Sequence, residues 1–376
     1  MRIMRIISHE TIYRDEQYVS FPSLCKLPDG RVLCTFRHAL ERQKEYGRVT
    51  HVDPTARIGY ITSVDGGQTF DKDYRTILDS EMSDQDPCLN VLSDGRVIAT
   101  YFQWELVPKG CGWLKWGKKN FERYGRELFG KYDCFHIGIA YSISDDQCKT
   151  WKHYPIIRLE NLPVCSGVRG DIIELDDGSL IMPFYGCLNH GESNRVGLLK
   201  SFDRGESWEY LSVMAFDEAG EKHFLEPNIF RTKSGRIIGL FRTQSDWMKP
   251  GVKFDDTYLN LHIAESLDNG KTFQPVQEIE NCWTSSPVHA LQLKSGKVLL
   301  SYGYRKAPYG IRIRVCNSEL TDIAESEEII LRDDSPNGDL GYPHAIELDN
   351  GEILVVYYIS DPDNIRTIAV TRLRED

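Results

Sequence analysis

The octet SVDGGQTF, Ser63 to Phe70, recurs along the chain as SDDQCKTW (Ser144 to Trp151), SFDRGESW (Ser201 to Trp208) and SLDNGKTF (Ser266 to Phe273). Every copy keeps a serine, an aspartate two residues on and a terminal aromatic ring. Strand-like runs flank them: ARIGYIT precedes the first, RVGLLK the third and LNLHIAE the fourth. A catalytic centre does not need four copies, so the octets read as tight turns. Glycine supplies the positive φ, the aspartate accepts nearby backbone N–H groups, and the aromatic ring plugs the turn onto its sheet. The second copy has Cys148 in the glycine place, which predicts a strained or differently shaped turn.

A longer unit encloses the octets: FPSLCKLPDGRVLCTFR, DPCLNVLSDGRVIATYF, RGDIIELDDGSLIMPFY, EPNIFRTKSGRIIGLFR, SPVHALQLKSGKVLLSY and YPHAIELDNGEILVVYY. Each is a β-hairpin bent at Gly30, Gly95, Gly178, Gly235, Gly296 or Gly351, and the spacing leaves room for a second hairpin in every unit. Six units of four antiparallel strands predict an all-β, six-bladed β-propeller. After its hairpin the last unit offers RTIAVTRL alone, so the N-terminal RIISHETIYR is expected to add the outer strand and close the ring.

With 376 residues and no Pro/Ser/Gly linker or break in composition, residues 1–376 are expected to form one domain. The N-terminus lacks an apolar core of signal-peptide length and no window nears about 18 apolar residues, so a cytoplasmic protein without a membrane span is expected. The ten cysteines form no CxxC; Cys25, Cys34 and Cys88 lie in apolar strand patterns and read as small buried residues. A formal charge of -11 argues against nucleic acid and anionic membranes as partners, and any acidic substrate must be captured by local arginines.

Register then gives geometry. Phe21, Asp86, Glu226 and Tyr342 each stand nine residues before a turn glycine and each precedes a proline. In a propeller the first strands line the axis, so these four side chains are expected at one rim. Arg37 and Arg242, seven residues after their turn glycines, return to the same rim. The octets, between third and fourth strands, fall at the opposite face. Extended backbone before proline and a satisfied polar rim are the plainer reading of each residue alone. Together, Glu, Tyr and two Arg are costly to desolvate without a ligand or partners.

These octets, and the chain as a whole, resemble the Asp-box (BNR) repeat proteins of the sialidase superfamily. In that family a glutamate opening one blade activates a tyrosine opening the last; the resemblance assigns these places to Glu226 in LEPNIF and Tyr342 in GYPHAIELDNG. Of the arginine triad that clamps the substrate carboxylate, Arg242 matches one member, and Arg312 in PYGIRIR is the better match for a second, ahead of Arg305. The third departs: the family's Arg-Ile-Pro reads Ser20-Phe21-Pro22, with Arg37 as the side chain that reaches toward the gap. The family's acid/base aspartate falls on Asp53 in THVDPTARIGY, with His51 as its rival.

The implied chemistry is coherent. A carboxylate nucleophile would meet like charge at a sialoside's anomeric carbon, whereas a tyrosine deprotonated by a glutamate avoids it. Arginines match the planar carboxylate, Asp53 would protonate the leaving oxygen and then activate water, and no metal or organic cofactor is needed. The implied activity is a retaining exo-glycosidase acting on a terminal acidic sugar, with a carbohydrate as partner. The alternatives are the same propeller acting on a uronate-containing glycan as hydrolase or lyase, and a glycan-binding propeller without turnover.

An insert at about 103–134 separates the second and third strands of the second blade, which places Trp104, Trp113, Trp116 and several lysines at the pocket rim, with helical spacing in KNFERYGRELF. It reads equally as a sugar-stacking wall or as a lid packed on its neighbour. Asp86, Arg169, Asp171, His289 and His344, all near the openings of first strands, complete the candidates facing the pocket.

Overall fold

The computed structural model describes residues 4–163, 165–188, 192–247, 249, 251–253 and 256–376, with the backbone alone at 123 and 124. Its strands form six antiparallel sheets, the blades of a β-propeller. Blade 1 runs Tyr18–Lys26, Val32–Ala39, Arg57–Ser63, Arg75–Leu78 from axis to rim, and blade 4 runs Lys222–Arg231, Ile237–Ser245, Asn260–Ser266, Gln277–Trp283. Blade 6 takes Gly341–Glu347, Glu352–Ser360 and Arg366–Glu375 from the C-terminal end and Met4–Tyr13 from the N-terminal end, the latter antiparallel to Arg366–Glu375. The ring therefore closes through hydrogen bonds between the two ends of the chain, leaving no open sheet edge at the junction.

Hydrophobic burial follows the same division. Six apolar clusters each lie between two neighbouring blades; one packs Val19, Phe36 and Ile61 of blade 1 against Leu354, Val356 and Val370 of blade 6. Both faces of each inner strand are thus covered, which is why these strands read as continuous Val/Ile/Leu/Tyr runs rather than alternating ones.

The octets close the third-to-fourth-strand turns. Ser63 pairs with Val32, at the end of the blade away from Arg37, so the turn lies far from the inner-strand openings. Asp65 accepts hydrogen bonds from the Ser63 hydroxyl (2.7 Å), the backbone of Gln68 and Thr69, and the Thr69 hydroxyl, while Gly67 N–H donates to Ser63 Oγ (2.8 Å). Cys148 does not reshape its copy. It takes φ +67 itself, and its N–H makes the same bond to Ser144 Oγ at 2.9 Å. The octets also tie blades together: Arg31 donates to the carbonyl of Gln147, Arg96 to that of Arg204, and Arg372 to those of Gly67 and Gln68.

Cys25, Cys34 and Cys88 are buried, and no disulfide joins the cysteines among the described residues. No helix among them is long and apolar enough to cross a membrane, which leaves β-barrel spans untouched. The insert's helical spacing holds for Lys118–Tyr124; Gly125–Leu128 is a strand that pairs with Tyr132–Phe135.

Candidate active site

Four inner strands share one distortion. Pairing with the second strand slips at Phe21-Pro22, Asp86-Pro87, Glu226-Pro227 and Tyr342-Pro343, and the residue before each proline has positive φ: +56, +48, +43 and +51. Such a bulge re-aims a side chain. It turns Phe21, Asp86, Glu226 and Tyr342 out of the ladder and into one cavity of about 400 Å³ over the axis. A left-handed conformation at a non-glycine residue costs on the order of 1–2 kcal/mol, and four equivalent copies mark a built feature.

Inside this cavity the Tyr342 hydroxyl donates to Glu226 Oε1. The other oxygen, Oε2, accepts from Arg242 Nη1 at 2.6 Å, and Arg242 Nη2 continues to Gln244 Oε1 at 2.8 Å. Burial, then the charges of Glu226 and Asp86, push the Tyr342 phenol well above its ordinary range, so it is protonated at rest. Burial works against the Arg242 charge, yet Glu226 beside it keeps the guanidinium firmly protonated.

The arginines separate into two groups. Arg305 stands next to Tyr342, 5.8 Å from its ring, and donates to the Tyr258 and Tyr358 hydroxyls and the Leu340 carbonyl. Arg312 is elsewhere: its side chain is buried within blade 5, donating to the carbonyls of Ile311, Pro308 and Arg332. The third strand begins early enough that Arg312 points between strands, while the loop before it carries Arg305 alongside Tyr342, at the edge of the axial cavity rather than in its lining. Arg37 is fully buried opposite Ser20 in the strand pairing, 5.3 Å from the Tyr18 ring, and its three side-chain nitrogens make no hydrogen bond among the described residues. The Ser20 hydroxyl is likewise buried and unpartnered among them.

Asp53 does not reach the cavity. Fully buried, it accepts from the backbone and hydroxyl of Thr55 and faces Arg42 at 2.9 Å, in an ion pair whose alignment falls short of a hydrogen bond. Its neighbour His51 lines the cavity instead, edge-on to Phe21 and 3.1 Å from Asp339. Asp86 also lines it, and burial, then the charge of Glu226, push its carboxyl up to about 7.

Arg169 lies beneath the cavity rather than in it. The four bulges leave carbonyls without ladder partners, and Arg169 donates to those of Phe21, Pro22, Pro87 and Tyr342 at 2.8 to 3.4 Å. It is a plug that ties three of the four bulges together through both of its Nη groups. One layer further down, Asp171, His289 and His344 bring ligand atoms within 4.8 Å of one another, close enough to share a cation. Their hydrogen bonds fit otherwise. Nδ1 of His344 accepts from Leu24 N–H and Nδ1 of His289 from Ala345 N–H, so both ring protons sit on Nε2, each 3.0 Å from an Asp171 oxygen. A metal would need those Nε2 lone pairs and would turn Nδ1–H against a backbone N–H. Burial, then the nearby His289, lower His344 to about 4, in keeping with a neutral ring.

The walls hold residues that the repeat pattern does not single out. Trp104 stacks on His136 at 4.4 Å, and Trp247 on His223 at 3.9 Å, in blades 2 and 4; all four line the cavity. Trp247 follows the second strand of blade 4, the topological position of the insert, so the rule that points to Trp104 also reaches it. Trp113 is exposed and Trp116 packs on Phe121 and Phe135; neither lines this cavity.

The family model for the BNR repeat-like domain matches residues 130–355. A sialidase of Paraclostridium sordellii is 23% identical over 281 residues, which is 69% of this chain and 62% of that enzyme, so the chain spans less than two thirds of its relative. A protein of unknown function from Dyadobacter fermentans superposes with a TM-score of 0.83 at 30% identity over the whole of both chains. The NanB sialidase of Streptococcus pneumoniae does so at 0.64 and 16% identity, over 99% of this chain and 70% of that one, a likeness of fold. With six four-stranded blades and this match over more than half its length, the chain belongs to the BNR repeat-like family of the sialidase propeller superfamily.

Proposed function

We propose that this protein is a retaining exo-glycosidase of the sialidase type that removes a terminal acidic sugar. The observation that carries the reading is the Tyr342 phenol hydrogen-bonded to Glu226 within the axial cavity. As the phenol oxygen bonds to the anomeric carbon, its proton passes to Glu226, and the bond to the leaving oxygen breaks. Asp86 supplies the proton to that oxygen, a role its position in the cavity and its protonated state near neutral pH support better than the sequestered Asp53. Water then attacks the same carbon, Asp86 takes its proton, and Tyr342 leaves and recovers its own from Glu226. Arg305, whose acceptors are all neutral and leave its charge without a carboxylate partner beside Tyr342, is assigned to the substrate carboxylate, with Arg242 orienting Glu226.

Ser20 in the first arginine place favours an acidic sugar other than the commonest sialic acids. The test is release of fluorophore from a panel of acidic sugar glycosides, sialosides and uronides, with proton NMR of the first-formed anomer. Release with retention, abolished in Tyr342→Phe, is the expected result; inversion, an unsaturated product or no release from any member would overturn the proposal.

A further inference from the structure

A second cavity, of about 970 Å³, adjoins the first and shares His51, Val52 and Arg126 with it. This is the upper end of the roughly 300–1,000 Å³ range of ligand sites. Its two wall carboxylates are already engaged. Glu127 pairs with Lys109 at 2.8 Å, and Asp339 takes hydrogen bonds from Tyr18, Tyr358 and His51 and an ion pair from Arg366 at 2.9 Å. Three wall cations, Arg48, Arg126 and Arg305, have no carboxylate within ion-pair reach among the described residues, although the chain carries a net charge of -11.

Two of the three are held for use. Arg48 lies 4.8 Å from the Phe129 ring and Arg126 lies 4.3 Å from that of Trp104. Stacking on a ring restrains a guanidinium while leaving its N–H edge open for bidentate hydrogen bonds. The supports are themselves built. Phe129 stacks on Tyr46 at 4.4 Å and 8°, which docks the insert onto blade 1, and Trp104 rests on His136. Three like charges gathered in one concavity are mutually repulsive unless an anion enters.

We propose that the second cavity is an anion subsite, in which Arg48 and Arg126 hold a sulfate ester or uronate carboxylate on the sugar unit next to the one cleaved. The assignment to that neighbouring unit rests on the glycosidase reading; the anion site does not. Titrating sodium sulfate into the full chain by calorimetry, against chloride at matched ionic strength, is expected to give saturable binding that weakens at least tenfold in Arg48→Gln/Arg126→Gln and is unchanged in Tyr342→Phe. Both arginines are exposed, and the melting temperature of the double variant checks that it folds. Non-saturable binding, or binding the double variant retains, overturns the proposal. Galactose 6-sulfate and glucuronic acid, titrated separately, tell sulfate ester from carboxylate by which one displaces sulfate, and displacement by neither also overturns it. Since these are binding measurements, sulfate capture without turnover of any acidic glycoside sinks the glycosidase reading alone, and turnover without sulfate capture sinks the subsite alone.

Discussion

Tyr342 and Glu226 are separated by 116 residues and open the inner strands of different blades, yet the phenol of one donates to the carboxylate of the other. Neither sits on a flexible loop: each is the left-handed residue of an inner-strand bulge, and Arg169 holds the Tyr342 carbonyl. Replacing Tyr342 by Phe should lower kcat/KM on any accepted glycoside by about 10³-fold or more, and Glu226→Gln by about 10²–10⁴-fold. Circular dichroism and melting curves should show both variants folded. Glu226→Gln activity within threefold of the parent would remove the base from the scheme.

Asp86 makes the pH dependence specific. Its folded pKa of about 7 stands above the unfolded value, so the stability contributed by its neutral form is complete below about 4 and is lost as pH rises toward 7. Asp86→Asn mimics the neutral acid. Its melting temperature relative to the parent should therefore rise between pH 4 and pH 8, by an amount on the order of a few kcal/mol in stability. In the parent, kcat/KM should fall above about pH 7 as the proton donor ionises. An alkaline limb beyond pH 9, or a melting difference that does not change with pH, would point to another acid.

Asp65 is the reciprocal case, a residue that resembles a site and holds a turn. Asp65→Ala removes the acceptor for four donors and should cost about 1–3 kcal/mol. Turnover per folded molecule should stay within twofold of the parent, as read from kcat at a temperature well below the melting transition. A selective loss of kcat would give the octet a part in chemistry.

The Asp171, His289 and His344 cluster should be indifferent to metal. Dialysis against EDTA is expected to leave the melting temperature within 1–2 °C, roughly the error of the measurement, and added zinc should not raise it. Stabilisation by zinc that His344→Gln abolishes would reverse the tautomer assignment made from the backbone donors.

Much of this was legible in the chain because repetition constrains phase. Gly30, Gly95, Gly235 and Gly351 place Phe21, Asp86, Glu226 and Tyr342 at equivalent positions, and the short final unit points to the N-terminal strand. Legibility fails where a side chain leaves the repeat. Arg312 has the sequence position of a rim residue, but a strand start can aim a long side chain between strands, and carbonyls take it. Asp53 carries no sign in its neighbourhood that Arg42 and Thr55 enclose it. Arg169 resembles a ligand-binding arginine until the bulges appear, because the unpaired carbonyls it satisfies exist through positive φ alone. Trp247 follows a second strand, so only loop topology points to it, and His223 stands three residues before Glu226 on the same inner strand with no motif to mark it.

Blade 6 has a consequence for biosynthesis. It presents Tyr342, yet its outer strand, Met4–Tyr13, precedes every other strand of the propeller in the chain and the partner of that strand, Arg366–Glu375, follows them all. During translation the early segment must wait without its mate, and blade 6 cannot complete its four strands until the circle shuts. A chain cut before Arg366 therefore lacks the closing pair of strands, and the ring is completed in a single late event rather than blade by blade.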